Sequence, residues 1–311
     1  MFIFTNVLGA FVFDENLEIA DKVMFYNASD FAKREETAKE LAGKHEAKAP
    51  NSETLKKILL KFKSPDHLGE LYRMNLLSTS FDVKNSVTAD LLISHAINNH
   101  EEIGRNIASL SKRLREWYDL YCPEVSRANS DNEKFASRIM KYSKKNLLEE
   151  LEVKESLGSE FKEEDVKPML EIASRIHSLC ESIKNLEEYA SGLMEKLCPN
   201  IKAVCGTMIG AKLIEHAGSL KRLSEMPSST IQILGAETAL FRHLKTGARP
   251  PRHGLIVNHP LISQAPDRLH GKIARSVADK ISIASKVDYF KGEFIGGKLK
   301  EQLENKVNAL I

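Results

Sequence analysis

The chain has 311 residues, 42% hydrophobic and 28% charged, which is enough to bury a substantial core in two or three domains and excludes a disordered or fibrous protein. Its formal net charge of +2 hides a regional sorting: residues 1–199 hold 28 basic and 34 acidic residues, net −6, and residues 200–311 hold 17 and 9, net +8. Charge sorted in this way points to an anionic partner for the C-terminal third.

The N-terminal run MFIFTNVLGAFVF lacks the basic region and small-residue cleavage site of a signal peptide, and no apolar run reaches the ~18 residues of a membrane span. A soluble, intracellular protein is therefore expected. Phe2–Thr5, Ala10–Phe13 and Leu17–Met24 read as short strands, with Asp14, Glu15 and Asn16 as a polar turn. Helical patterns follow near Asp30–His45 and Ser52–Phe62, so residues 1–85 read as a small α+β domain.

Between Asp66 and Met226 there are only three prolines, Pro123, Pro168 and Pro199, which leaves room for long helices. Ala89, Ile93, Ala96, His100, Ile103, Ile107, Leu110, Leu114, Trp117 and Tyr121 alternate at intervals of four and three. Met169, Ile172, Ile176, Leu179, Ile183, Leu186, Ala190, Leu193 and Leu197 do the same over four heptads, which is a coiled-coil seam. Turn-like residues between the two helices make residues 86–199 a long antiparallel coiled-coil hairpin, with a shorter helical insert around residues 134–153. Residues 146–198 hold 13 acids against 6 bases, the solvated face of such a hairpin. A seam that outlasts its own partner pairs with a second copy, so a homodimer is expected through Ile107, Leu110, Leu114, Ile172, Ile176, Leu179, Ile183, Leu186 and Leu193. His100 reads as a polar register device in that seam.

From Ile201 onward the chain again reads as helical, with Gly218 at a helix C-terminus and Ser228, Ser229 and Thr230 as caps for a helix reaching toward Leu244. Gly206 and Gly210 suggest close helix packing. A short extended piece, 254–258, precedes helices over Arg268–Val287 and Glu293–Leu310. The whole is thus multidomain and mainly α, with helical residues 200–311 as the third domain. Cys122, Cys180, Cys198 and Cys205 form no CxxC pair and read as buried thiols, so no metal site is expected. Gly292, Gly297 and Lys298 satisfy part of a phosphate-loop pattern, but Leu299 stands where Ser or Thr must ligate magnesium and a helix precedes it. Neither a His-Glu-x-x-His nor a Gly-x-Ser-x-Gly motif occurs, so catalysis is unsupported.

One stretch carries chemistry. No Asp or Glu occurs over the 29 residues from Thr238 to Pro266, while Arg242, Lys245, Arg249 and Arg252 gather around Pro250-Pro251. Arg242 and Lys245 share a helix face, and the other two flank a stiff loop. Arginine forks and lysine charges match phosphate oxygens, so RNA or DNA is the expected anion; a solvated helix end complementing its dipole is the alternative. His243 and His253 are placed to stack on bases or donate hydrogen bonds, or else to pack in the core. Glu237 is placed to bond a base edge or a partner, or simply to cap a helix.

The run PSSTIQILGAETALFRHLKTGARPPRHGLI (Pro227–Ile256), followed by GKIARSVADKISIASKVDYFKGEFI (Gly271–Ile295), resembles the Nop domain of the box C/D guide-RNA ribonucleoproteins. REWYDLYCPEV (Arg115–Val125) is similar to the end of that family's first coiled-coil helix, and the N-terminal run resembles the start of its fibrillarin-binding domain. Gly235, Ala236 and Glu237 match the family's Gly-Ala-Glu-Lys element, with Thr238 at its lysine position, and Ala239–Arg242 match its Ala-Leu-Phe-Arg element. The resemblance implies a non-catalytic scaffold whose N-terminal domain holds fibrillarin, whose coiled coil self-dimerises, and whose Nop domain clamps a kink-turn RNA already bound by a small ribosomal-type protein. Its RNA contacts would fall on Gly235, Ala236, Glu237, Arg242, His243, Lys245, Arg249, Arg252 and His253. The assembly would direct RNA 2′-O-methylation, with S-adenosylmethionine bound by fibrillarin and no cofactor on this chain. No Lys-rich tail follows Ile311, which fits an archaeal-type, cytoplasmic member. A splicing-type kink-turn binder without fibrillarin is the alternative.

Overall fold

Short apolar runs and two tight turns build an antiparallel sheet from Phe2–Thr5 (β1), Gly9–Phe13 (β2) and Ile19–Met24 (β3), in the order β1-β2-β3. Asn6 Oδ1 closes the first turn by accepting from Leu8 N and Gly9 N at 2.8 and 3.3 Å, and Asp14 Oδ1 closes the second by accepting from Glu18 N at 2.9 Å. Register runs Phe2↔Phe13 to Thr5↔Ala10 on one side of β2 and Gly9↔Met24 to Phe13↔Ile19 on the other, irregular at Val12/Phe13. The central strand β2 is buried at every residue.

The computed structural model describes residues 1–63 and 65–310. They divide into two units, Met1–Thr88 and Ala89–Ile311. Four helices complete the first: Ala28–Ala32 (α1), Arg34–His45 (α2), Ser52–Lys61 (α3) and Pro65–Asn85 (α4). Asn27 and Asn51 cap α1 and α3 through their side-chain oxygens. Phe11, Phe13 and Phe62 meet in the core, with the Phe11 and Phe62 rings edge to face at 4.9 Å. Asp21 on β3 binds Lys44 and His45 of α2 at 3.0 and 2.7 Å, and these hydrogen bonds hold its carboxyl down to about 2.

The helical pattern expected from sequence ends at Phe62, and α4 lies beyond it. Leu68, Tyr72, Leu76, Leu77 and Val83 of that helix are exposed while Met74 and Ser78 are buried, so its apolar residues carry no clean period.

The second unit opens with Ala89–Tyr121 (α5), followed by Pro123–Ala128 (α6), Asn132–Lys141 (α7), Lys144–Glu150 (α8) and Glu163–Leu197 (α9). Helices α5 and α9 pack antiparallel, and α6–α8 close the far end over a core of Leu114, Tyr118, Phe135, Leu147 and Met169. The insert foreseen over residues 134–153 is thus two helices, and residues 126–133, expected to be turn-like, take in the end of a third, α6, and the start of α7.

The buried stripe on α9 is Met169, Ala173, Ile176, Cys180, Ala190 and Met194: Met169, Ile176 and Ala190 belong to the expected seam, whereas its other members Ile172, Leu179, Leu186 and Leu193 are only half-buried. Helix α9 packs on α5, α7 and α10 together, so it buries a broad straight-helix face rather than a narrow two-strand seam. Ile107, Leu114 and Ile176 are buried inside the single chain, whereas Leu110 is 37% exposed. His100 Nε2 lies 2.9 Å from Glu187 on α9, a polar contact across the hairpin.

Pro199 occupies the first turn of Pro199–Ala217 (α10), so the hairpin turns into the C-terminal helices without a linker, and Ile93, Ile97 and Met194 share one core with them. Then come Leu220–Glu225 (α11), Ser228–Ile233 (α12), Glu237–Thr246 (α13), Pro260–Ser263 (α14), Asp267–Tyr289 (α15) and Gly296–Asn308 (α16). Helix α15 is central: Ile273, Val277 and Ile281 are fully buried.

The helix foreseen from Ser228 toward Leu244 is two helices, and Pro227 rather than a Ser or Thr side chain stands at the N-cap of the first. Residues 254–258 are not extended: Leu255–Asn258 is a 3₁₀ turn. Gly210 does serve close packing, since a Cβ there would lie 2.6 Å from Met194 Cε, but Gly206 is a kink in α10 at φ 78°. That kink exposes the Val204 carbonyl, which accepts from Nε2 of buried His259 at 3.0 Å. Gly292–Lys298 follows α15 rather than a strand, as the phosphate-loop reading requires it not to. All four cysteines are buried and unpaired, and burial raises each thiol, Cys205 to about 12. Among the described residues no helix is long and apolar enough to cross a membrane.

Candidate nucleic-acid interface

The break between α12 and α13 is a backbone event. Gly235 takes φ 84°, which costs a residue with a Cβ about 1–2 kcal/mol, and a Cβ there would also lie 2.4 Å from Leu255 Cγ. Glu237 Oε1 then accepts from Gly235 N at 2.7 Å, so the acid closes the turn and sits in the first turn of α13, where a negative charge complements the helix dipole. The capping alternative left open for Glu237 is the contact the structure contains. Ala236 lies between them, half-buried, and its N donates to Ile233 O at 2.9 Å.

Helix α13 buries none of its residues, and Phe241 and Leu244 are 59% and 69% exposed. It ends at Gly247, φ 69°, whose N donates to His243 O at 2.8 Å, while His243 Nδ1 bonds the Ala248 carbonyl. His243 therefore ties the helix end to the loop behind it. The chain returns through Arg249-Pro250-Pro251-Arg252 and is pinned at its base: Gln232 Nε2 donates to Arg252 O at 2.7 Å, Gly254 N to Gln232 O at 2.8 Å, and Leu255 N to Leu234 O at 2.8 Å. Residues 235–253 thus form an arm anchored at both ends and solvated along its length.

Arg242, Lys245 and Arg249 are exposed, and among the described residues no carboxylate lies within ion-pair distance of their charged groups. Arg252 differs: its Nη1 lies 3.1 Å from Asp267 Oδ2, the first acid beyond the acid-free stretch. His253 is half-buried with its ring 5.9 Å from that of His270, and burial pushes its pKa below the ordinary value, so it adds no charge at neutral pH. Thr238 is exposed on α13.

Beside the arm lies a cleft of about 870 Å³, lined by Arg252 and Pro251 from the loop, Arg268, Lys272 and Arg275 from α15, and Lys306 from α16. Of these cations, only Arg252 belongs to the cationic stretch expected from sequence. The spacing 268, 272, 275 is one helical face and was legible as such, but only the fold sets it beside Arg252.

A helical domain that offers a solvated, unpaired cationic arm beside a cationic cleft is built to receive an extended anion. A family profile described as "Nop: snoRNA binding domain, fibrillarin" matches residues 100–309. The chain belongs to that Nop family. An uncharacterized NOP5 family protein of Methanocaldococcus jannaschii is 38% identical over 237 residues, covering 71% of this chain and 57% of the relative. Nucleolar protein 56 of Homo sapiens is 34% identical over 242 residues, covering 70% of this chain and 41% of its own length, and that of Schizosaccharomyces pombe is 35% identical with 70% and 49% covered. The chain spans about half the length of the curated relatives it matches. A chain from a crystal structure of a fibrillarin/Nop5p complex is similar over 99% of this chain and 100% of its own, at 23% identity and a TM-score of 0.48.

Proposed function

We propose that this chain is a non-catalytic scaffold of a box C/D guide ribonucleoprotein, with its second unit gripping a kink-turn RNA already bound by a small ribosomal-type protein. The observation that carries the reading is the arm: Arg242, Lys245 and Arg249 project from the part of the chain that matches a snoRNA-binding family and meet no counter-charge among the described residues. The first unit takes fibrillarin, for which exposed Leu59 and Leu60 beside a cleft of about 490 Å³ lined by Phe4, Phe62 and Leu71 are the candidate contacts. Fibrillarin then supplies methyl transfer from S-adenosylmethionine, and this chain positions the RNA. The cytoplasm is the compartment that suits an archaeal-type particle.

Binding to a box C/D kink-turn RNA, with and without its small kink-turn-binding protein, tests this. Tight binding is expected only to the preformed RNA–protein complex, and log K against log salt falls with a slope of about −2 to −3 for three phosphate contacts. Alanine at Arg242, Lys245 or Arg249 flattens that slope by about one each. Equal affinity for bare RNA, or indifference to the three substitutions, refutes the reading.

Self-association belongs to the same proposal. With Ile107, Leu114 and Ile176 buried within the hairpin, the second copy is taken up by the apolar residues left accessible, Leu110, Ile172, Leu179, Ile183, Leu186 and Leu193. Light scattering of the purified chain is expected to return twice the 34.9 kDa chain mass, and a monomeric mass rejects the dimer.

A further inference from the structure

The geometry points to the cleft between α15, α16 and the Pro250-Pro251 loop as a second RNA-backbone site, separate from the arm and used by a neighbouring stretch of the same RNA. It rests on the RNA-binding reading above and adds Arg268, Lys272, Arg275 and Lys306 to the contact surface. Five cations line the cleft against one acid, and that acid, Asp267, is already engaged by Arg252. Arg268, Lys272 and Arg275 are exposed and, among the described residues, make no ion pair or side-chain hydrogen bond. Positive charge left unneutralised at three successive positions of one helix face destabilises that helix slightly, so the fold itself gains nothing from the arrangement.

The spacing fits one nucleic-acid strand. At about 1.5 Å rise per residue the three charges span roughly 10 Å of α15, and a strand advances about 3.4 Å per nucleotide, so the face covers about three phosphates. Gly271 lies on the same face, and a Cβ there would meet only Arg252 Cβ at 4.0 Å; its missing side chain keeps the floor of the cleft open between Arg268 and Arg275. No aromatic ring is among the lining residues, so there is no platform for a base. The cleft therefore holds phosphates without reading sequence, and Arg252, pinned to the loop through Gln232 on its carbonyl, joins it to the arm.

The test uses the full chain and the preassembled kink-turn RNA–protein complex, over about 50 to 200 mM salt. The combined substitution Arg268→Ala, Lys272→Ala, Arg275→Ala is expected to weaken binding by at least about tenfold and to flatten the salt slope by about two to three, equally for different guide sequences. Gly271→Leu, which fills the cleft and removes no charge, is expected to weaken binding as well. Arg268, Lys272 and Arg275 are exposed on α15 and Gly271 is half-buried with no atom closer than 4.0 Å to an added Cβ, so unchanged thermal melting shows the variants folded. Wild-type affinity in both variants, while Arg242→Ala, Lys245→Ala and Arg249→Ala lose binding, overturns the cleft and leaves the arm standing. Indifference to both sets brings down the RNA reading and the cleft with it. Inorganic phosphate that competes for the cleft without any loss of RNA affinity on substitution identifies a small-anion site and also overturns the proposal.

Discussion

Asp288→Ala is expected to lower the stability of the second unit by about 3–5 kcal/mol, read as an earlier midpoint in urea or heat with the first unit's transition unchanged. The carboxylate sits at the end of α15, 7% exposed, and serves three donors: Oδ1 accepts from Asn200 N and Asn200 Nδ2 at 3.1 and 2.7 Å, and Oδ2 accepts from Ile201 N at 2.9 Å. Two of these are first-turn N–H groups of α10, which have no partner within their own helix, so a negative charge there satisfies them and meets the positive end of the helix dipole. Asn200, 1% exposed, passes the connection on: its Oδ1 accepts from Ile295 N at 2.7 Å, just before α16. One side chain therefore fixes where the hairpin ends, where α15 ends and where α16 begins. Burial pushes the Asp288 carboxyl above the usual range while the three donors pull it back, so the node is expensive to empty and each orphaned donor costs about 1–3 kcal/mol. Asp288→Asn keeps the shape but turns an NH₂ toward a donor, so it is expected to recover less than half of the loss. A midpoint change in Asp288→Ala equivalent to less than about 1 kcal/mol would show that water or a backbone shift satisfies these groups instead.

The same node explains what sequence reading reaches and what it does not. Helices α5 and α9 were legible because periodic apolar residues and the stops at Pro123 and Pro199 are local signals. Their facing register was not, since which half of a wide apolar stripe is buried depends on α7 and α10, whose positions the spacing does not encode. Helix α4 escaped because Leu68, Tyr72 and Leu76 face solvent, and the two-helix break at Gly235 escaped because a cap written as Ser-Ser-Thr is a stronger local cue than a single left-handed residue. In the candidate site, the absence of acids from Thr238 to Pro266 is a one-dimensional fact and marked the arm correctly as a cationic segment. It did not disclose that Asp267 turns back onto Arg252, or that Arg268, Lys272 and Arg275 lie alongside it, because both depend on the loop folding against α15.

That dependence makes Gly254 the position where fold and function are coupled most tightly, and Gly254→Ala is expected to cost about 2–3 kcal/mol and to abolish RNA binding with every cation of the arm intact. An alanine Cβ would lie 1.9 Å from Leu234 O and 2.7 Å from the carbonyl carbons of Ile233 and Leu234. These are backbone atoms, so no rotamer change relieves the overlap; the strand of chain carrying residues 252–255 has to move away from residues 232–234. Three hydrogen bonds hold those two segments together, Gln232 Nε2 to Arg252 O, Gly254 N to Gln232 O and Leu255 N to Leu234 O, and all three lengthen together. The arm then keeps its charges but loses the fixed base that presents them, and Arg252 leaves both Asp267 and the cleft. Gly247→Ala is the matched control. Gly247 also lies in the arm, at φ 69°, but nothing stands within 4 Å of a Cβ there, so it incurs only the left-handed backbone penalty of about 1–2 kcal/mol and should bind RNA with a modest loss. Binding of the preformed RNA–protein complex and thermal midpoints, measured on both variants, separate the two effects: equal losses of affinity in Gly247→Ala and Gly254→Ala would mean that the arm's own conformation, not its anchorage to residues 232–234, is what the RNA requires.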